Sequence, residues 1–116
     1  QTANAAAIND DLLSHCGIKK KNSLVTADLR YGENFSAIME DRGSFDNAGI
    51  REEVVNAAVK LVKENPEIGA ILLECSDMPP YAAVVQAAVK RPVYDFITLI
   101  KWLNNAAMQR PYGGWI

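Results

Sequence analysis

The sequence is poor in the residues that build metal centres and disulfide scaffolds. Its 116 residues include two cysteines, Cys16 and Cys75, and one histidine, His15. Two cysteines outside a CxxC pair are too few for a disulfide framework. A tetrahedral zinc site would need all three of these side chains and a carboxylate as well. We therefore expect a reduced, cytoplasmic protein without a metal.

Long apolar runs and an excess of one charge are also missing. No apolar stretch approaches the roughly 20 residues that a membrane span requires. Twelve basic residues stand against 14 acidic ones, which gives a formal net charge of −2 and no basic face for phosphates. The sequence therefore argues against a membrane protein and against a dedicated nucleic-acid-binding protein.

The composition that remains is that of one globular domain. Hydrophobic residues make up 49% of the chain and charged residues 22%, which is typical of folded proteins rather than disordered ones. A chain of this length can bury a core without disulfides or metals.

Hydrophobic periodicity predicts four helices that alternate with three short strands. The helices are predicted at 5–14, 46–64, 79–89 and 95–109, with one or two further helical turns at 35–39, and the strands at 23–27, 68–73 and 93–94. Residues 1–3 are interpreted as the end of a fourth strand. This order predicts right-handed β-α-β units and a parallel sheet between helices. The predicted fold class is thus α/β, a three-layer αβα sandwich with a short parallel sheet, as in a Rossmann-like or flavodoxin-like lobe.

The best candidate for chemistry follows the apolar run at 68–73. Cys75 lies between this predicted strand and the next predicted helix, where helix amides favour the thiolate and lower the pKa of a thiol. Ser76 adds a hydroxyl, and the backbone amides of Ser76, Asp77 and Met78 can form a small anion cradle. The charge of Asp77 opposes the thiolate. Equally, a cysteine in an apolar context can be a small buried hydrophobic residue.

The remaining candidates are interpreted as structural. Cys16 follows a predicted helix, whose dipole disfavours a thiolate at that end, so Cys75 in the complete protein is expected to alkylate much faster than Cys16 near neutral pH. His15 is interpreted as a cap at the same helix end. The aromatic side chains near the carboxyl terminus are interpreted as packing residues: Trp102, Tyr112 and Trp115.

Two stretches carry a resemblance to a known family. Residues 68–83 contain the run ECSDMPPY at 74–81, and residues 92–100 follow as PVYDFITLI. They resemble the aspartate/glutamate (Asp/Glu/hydantoin) racemase superfamily, in particular a branch with a Glu-Cys-Thr-Asn-Met-Pro-Pro-Tyr signature. Residues 38–43, the helix that starts near Ile50 and residues 109–112 look similar too, so the likeness covers nearly the whole chain.

The resemblance implies a protein of two similar α/β lobes, each of which gives one cysteine to a cleft between them. Residues 1–116 would be a single lobe, the second half, with Cys75 as its catalytic cysteine and the other cysteine upstream of Gln1. The helix and tail at 95–116 would pack on the missing N-terminal lobe or on a partner, such as the second copy in a homodimer.

The activity implied is a cofactor-independent racemisation of an amino acid or similar small carboxylate. One thiolate removes the α-proton, and the opposite thiol delivers a proton to the other face. Ser76 and Asp77 take the places of a substrate-holding Thr and an Asn, and Thr2 and Asn4 fall near the cleft, so all four are expected to bind substrate. Because removal of this proton needs an enclosed base and an opposing acid, the fragment alone is expected to be inactive.

Two alternatives stay open at this point. One is a sister activity, an arylmalonate-type decarboxylation or a maleate-type cis–trans isomerisation, in which a cysteine also acts in the cleft. The other is a non-catalytic module that binds small carboxylates and has lost proton transfer. A second cysteine upstream of Gln1 would favour the racemase.

Overall fold

The computed structural model describes residues 1–19, 24–111 and 113–114. Five α-helices and two β-strands follow one another along these residues. They are α1 (Asp10–His15), α2 (Ser36–Met39), α3 (Asn47–Glu64), β1 (Ile71–Leu73), α4 (Ala82–Val89), β2 (Val93–Asp95) and α5 (Phe96–Ala107), with 3₁₀ turns at Ala5–Ala7 and Pro79–Tyr81.

The two strands form a short parallel sheet that is buried on one face. Its register pairs Ile71 with Val93, Leu72 with Tyr94 and Leu73 with Asp95. Successive side chains of a strand point to opposite faces, and accordingly Ile71 and Leu73 are buried whereas Leu72 and Tyr94 are more than half exposed. One face of the sheet therefore belongs to the core, and the other is open.

The helix α3 covers the core face together with α4. Its buried positions recur at helical spacing along one stripe: Ile50, Val54, Ala58 and Leu61. Asp46 caps the helix, since its carboxylate accepts the amide of Ala48 at 2.9 Å, and Asn65 ends it. The prediction of this helix from periodicity is confirmed.

The amino-terminal residues run beside β1. The backbone nitrogen of Gln1 donates to the carbonyl of Leu72 at 2.7 Å, and the amide of Glu74 donates to the carbonyl of Gln1 at 2.9 Å. On the other side, Thr2 forms an isolated parallel bridge with Asp28. Within residues 24–27 no strand forms, so the prediction of a strand at 23–27 is reduced to this bridge, and Ser23 lies outside the described residues.

The first predicted helix is divided in two. Asp28 reaches across and its carboxylate accepts the amide of Ala5 at 2.8 Å, whereas the side chain of Asn4 makes no cap. The 3₁₀ turn therefore ends after three residues, and α1 begins only where Asn9 accepts the amide of Leu12 at 2.9 Å. Gly17 follows this helix in the left-handed region, with φ +74°.

The last helix, α5, has an N-terminal cap, but other described elements leave its side chains exposed. Asp95, only 6% exposed, accepts the amide of Thr98 at 2.8 Å and its hydroxyl at 2.9 Å. No side chain of α5 is buried in the described structure. The amphipathic pattern predicted this helix correctly, but its apolar side chains find no cover within the described residues.

These elements make a small mixed α/β fold with a parallel sheet, which agrees with the predicted fold class at that level. The helix α4 ends at Lys90, whose backbone lies in the left-handed region with φ +53°.

Among the helices of the described residues, none combines the length and the apolar character needed to cross a membrane.

Candidate functional site

A tight turn carries Cys75 away from the end of β1. The amide of Met78 donates to the carbonyl of Cys75 at 3.2 Å, and the buried side chains of Met78 and Tyr81 anchor the turn in the core. Pro79 and Pro80 then start a 3₁₀ turn, so that α4 begins only at Ala82. The structure places Cys75 at the carboxyl edge of the sheet, where ligands bind in open α/β folds.

The thiol of Cys75 is half-buried beside a carboxylate. Its Sγ lies 3.6 Å from Oδ2 of Asp77. Burial raises the pKa of Cys75, the nearby charges of Asp77 and Glu74 raise it further, and a hydrogen bond from the backbone N–H of Asp77 acts in the opposite direction.

The expected lowering of this pKa by a helix terminus is therefore wrong. The 3₁₀ turn separates the thiol from the first residue of α4, and the macrodipole acts only near the end of a helix. The carboxylate of Asp77 is closer and has the opposite effect. The expectation that Cys75 alkylates faster than Cys16 loses its physical basis, because Cys16 is exposed.

The predicted anion cradle is mostly occupied by the turn itself. The amide of Met78 closes the turn, and the amide of Asp77 hydrogen-bonds the sulfur. The hydroxyl of Ser76 is exposed and makes no hydrogen bond within the described part of the chain. Ser76 is thus the group of this turn that is available to an incoming anion.

Thr2 joins the amino-terminal segment to the same edge. Its hydroxyl donates to Oε2 of Glu74 at 2.7 Å and accepts the amide of Asn4 at 3.1 Å. Thr2 itself is only 3% exposed, while Asn4 is partly exposed. The structure therefore brings Thr2 and Asn4 to the strand end that carries Cys75.

Glu74 is the residue that sequence reasoning missed. It directly precedes Cys75, it is exposed, and together with Leu72 it lines two cavities. The available signal was its place as the first charged residue after the apolar strand, because such positions open onto the carboxyl edge of a parallel sheet.

A cavity of about 680 Å³ lies between the open face of the sheet and α5; we call it the aromatic cavity. Its wall includes three aromatic and two acidic side chains: Tyr94, Phe96, Trp102, Glu74 and Asp95. Leu72, Leu73, Thr98 and Leu99 complete the described lining. Trp102, interpreted from sequence as a packing residue, is 66% exposed.

The other sequence candidates lie apart from Cys75. Cys16 lines a second, mostly apolar cavity of about 520 Å³. His15 follows Ser14 at the end of α1, and its Nδ1 lies 2.7 Å from the carbonyl oxygen of Asp11. Tyr112 and Trp115 lie outside the described residues. Within residues 1–19, 24–111 and 113–114, no group of three His, Cys, Asp or Glu side chains is placed to hold a metal ion.

Comparison with known proteins found relatives that share one name. Dimethylsulfoniopropionate lyase 7 of Emiliania huxleyi (strain CCMP1516) is 30% identical over 122 residues, covering 97% of this chain and 35% of the lyase. Dimethylsulfoniopropionate lyase 5 of the same strain is 32% identical over 82 residues, covering 71% of this chain and 16% of the lyase. The lyase of Durusdinium sp. clade D is 28% identical over 108 residues, covering 92% of this chain and 36% of that protein. All three are named as lyases.

The chain spans only 16% to 36% of the length of these curated relatives. No family model matches the sequence, and no solved structure matches it significantly.

The resemblance to the aspartate/glutamate racemase superfamily is therefore wrong as an identification. No family model supports it, and the relatives are named for a lyase rather than for a racemase, a decarboxylase or an isomerase. The residues that suggested it form an apolar strand, a turn and two prolines before a helix. This pattern places Cys75 at the end of a strand, and it does not by itself specify the reaction.

Proposed function

We propose that this chain forms part of a lyase that acts on dimethylsulfoniopropionate. The observation that carries the proposal is the similarity to dimethylsulfoniopropionate lyase 7 over 97% of the chain, a span that includes the Cys75 turn wherever it begins. Since the chain covers about a third of that relative, we propose that the complete activity needs further polypeptide.

The reaction such a protein must perform is an elimination. The substrate carries a carboxylate at C1 and a dimethylsulfonium group on C3. A base takes a proton from C2, the C2–H electron pair becomes the C2–C3 double bond, and the C3–S bond breaks with its pair on sulfur. The products are acrylate, dimethyl sulfide and a proton. The protein must therefore supply a base and hold both charged ends.

Cys75 is the base in this proposal. Its pKa lies above that of an ordinary thiol, so the thiolate, once formed, is a strong base for a weakly acidic carbon. Asp77, whose Oδ2 accepts the S–H of Cys75 at 3.6 Å, favours the thiol form, and the thiol proton is given up to solvent before each turnover. Because only the thiolate reacts, kcat/KM should rise with pH until the raised pKa of Cys75 is passed.

The substrate carboxylate is assigned to the exposed groups around this base. Ser76 offers a hydroxyl with no other partner in the described structure, and Asn4 a partly exposed amide at the same edge. Asp77 repels a carboxylate, and it accepts the S–H of Cys75 instead. Thr2 is buried, and it acts by holding Glu74 in place.

The arrangement of the layers and the packing of α5 on other polypeptide belong to the same proposal. Leu72 and Tyr94 face away from the core and share a cavity with α5, which supports a three-layer arrangement with α3 and α4 on one face and α5 on the other. Residues 1–116 would form a single α/β lobe. The exposed apolar side chains of α5 support packing of residues 95–116 on further polypeptide or on a second copy. A cytoplasmic location stays a prediction.

Complementation tests the proposal. Emiliania huxleyi dimethylsulfoniopropionate lyase 7 would be expressed without its matching segment and mixed with this chain, and dimethyl sulfide would be measured by gas chromatography. We expect no release from either part alone and release from the mixture. Cys75→Ala should abolish the release, while Cys16→Ala should retain it. A mixture that associates but releases no dimethyl sulfide, or a Cys75→Ala variant with full activity, contradicts the proposal.

A further inference from the structure

The aromatic cavity is lined by three aromatic side chains that stay partly or largely exposed within the described structure. Tyr94, Phe96 and Trp102 surround it and remain 56%, 39% and 66% exposed. Aromatic rings are among the side chains that gain most from burial. Here three of them share an open cavity of about 680 Å³, a volume typical of small-molecule sites.

The charged side chains in the described lining of the aromatic cavity are all acidic. Glu74 and Asp95 contribute carboxylates, and no Lys or Arg belongs to its described lining. The hydrogen bond from Thr2 at 2.7 Å fixes one carboxylate oxygen of Glu74, and the amide and hydroxyl of Thr98 hold the carboxylate of Asp95. A negative potential beside aromatic rings attracts a cation and disfavours an anion.

The apolar character of the wall narrows the choice of cation. A metal ion needs several oxygen, nitrogen or sulfur ligands, whereas leucines and aromatic rings make up most of this lining. A methylated cation has its charge surrounded by apolar methyl groups and is therefore easily desolvated. Aromatic rings beside a carboxylate recognise such a cation. The wall of the cavity fits this ligand class.

We propose that the aromatic cavity binds a methylated onium group, such as dimethylsulfonium or trimethylammonium, against Tyr94 and Trp102 with Glu74 as the counter-charge. As a substrate site it rests on the proposed function: Glu74, which lines the cavity, directly precedes Cys75 in the chain, so the sulfonium end of the substrate is assigned to the cavity.

Binding of simple ions to the 116-residue chain tests the site without any chemistry. Tetramethylammonium and trimethylsulfonium chloride would be titrated at constant ionic strength, with sodium chloride and uncharged tert-butanol as matched probes. Binding would be followed by calorimetry and by the indole N–H resonance of Trp102. We expect both onium ions to bind and to shift this resonance, and the two matched probes to do neither.

Variants locate the site. Trp102→Leu and Tyr94→Leu should each weaken onium binding about 3-fold to 30-fold. Glu74→Gln should also weaken it. Trp102→Phe, which keeps an aromatic ring, should bind more tightly than Trp102→Leu. Tyr31→Leu, at a tyrosine 86% exposed on another part of the surface, is the control and should bind normally. Circular dichroism checks that each variant is folded.

The possible results separate this site from the proposed function. Equal binding of tert-butanol, no onium binding, or binding unaffected by Trp102→Leu and Tyr94→Leu overturns the site. Onium binding lost in these variants supports it, even when the complementation assay releases no dimethyl sulfide. Release of dimethyl sulfide combined with unaltered onium binding in Trp102→Leu supports the lyase and overturns the site.

Discussion

At the scale of single residues, Cys75 shows how its neighbours determine the chemistry of a thiol. Its place at the carboxyl end of β1 follows from local sequence, because an apolar run, a turn and two prolines specify a strand that ends. Its pKa does not follow from local sequence. Burial and the charges of Asp77 and Glu74 raise it, and the 3₁₀ turn that keeps α4 at a distance could not be read from residue types.

Removal of the neighbouring charge should make this thiol more reactive. In a Cys16→Ala background, where Cys75 is the only thiol, Asp77→Asn removes a carboxylate 3.6 Å from Sγ. We expect the pKa of Cys75 to fall and alkylation by iodoacetamide at pH 8 to become roughly 3-fold to 10-fold faster. The rate would be followed by mass spectrometry.

Glu33→Gln is the matched control, because Glu33 is not among the charges that act on the Cys75 thiol. This control should leave the alkylation rate unchanged. An unchanged rate in Asp77→Asn would show that burial alone sets the pKa of Cys75, and a slower rate would show that Asp77 favours the thiolate.

At the scale of elements, α3 organises the loop that leads into α2. The carboxylate of Glu53 accepts the amide of Asn34 at 2.7 Å, its side-chain amide at 2.9 Å and the amide of Phe35 at 2.9 Å. Phe35 is fully buried, so these bonds fix the backbone of a core residue. Gly32 belongs to the same arrangement, since a Cβ there would lie 2.5 Å from Oε2 of Glu53.

Loss of this carboxylate should destabilise the fold. Glu53→Gln keeps the shape of the side chain but loses the charge and part of the acceptor capacity for three donors. We expect the free energy of unfolding in urea to fall by about 1–3 kcal/mol. Glu52→Gln, at an exposed neighbour on the same helix, should change it by less than about 0.5 kcal/mol. Equal effects of the two variants would refute this role of Glu53.

Periodicity predicted α3 and α5 because a helix makes its backbone hydrogen bonds within itself. Strands were predicted less well for the opposite reason. The stretch at 23–27 has strand-like residues, yet residues 24–27 form no strand and pairing is limited to Asp28 with Thr2. Pairing depends on which backbone lies alongside, and that is a property of the whole fold. The contact between Thr2 and Glu74, and with it the role of Glu74, was hidden for the same reason.

At the scale of the whole molecule, the ionisable groups of Cys75 and Tyr81 make the free energy of unfolding depend on pH. Burial raises the pKa of Cys75 and that of Tyr81, and the charge of Asp77 adds to both. The unfolded chain, in which these groups have ordinary pKa values, loses the two protons at lower pH than the folded chain. The stabilising contribution is therefore complete below the ordinary pKa of a thiol and is lost as the pH rises through the raised values.

Alkaline titration of stability measures this linkage. The urea midpoint of the wild-type chain should decline above about pH 8.5–9, where an ordinary thiol ionises. In the double variant Cys75→Ala/Tyr81→Phe the decline should be shallower, although its midpoint is lower throughout because Tyr81 no longer donates to Asn47. Parallel declines in the two proteins would show that other groups govern the alkaline limit.

The parallel course of residues 1–3 beside β1 also imposes an order on folding. The backbone nitrogen of Gln1 bonds a carbonyl 71 residues later in the chain, so Gln1 acquires this neighbour only after β1 has been made. During synthesis Thr2 can already pair with Asp28, while the backbone groups of Gln1 that will bond β1 stay unpaired and open to non-native strand pairing. Docking of Gln1 against β1 is thus a late step, and the edge that holds Glu74 and Cys75 is completed only when it occurs.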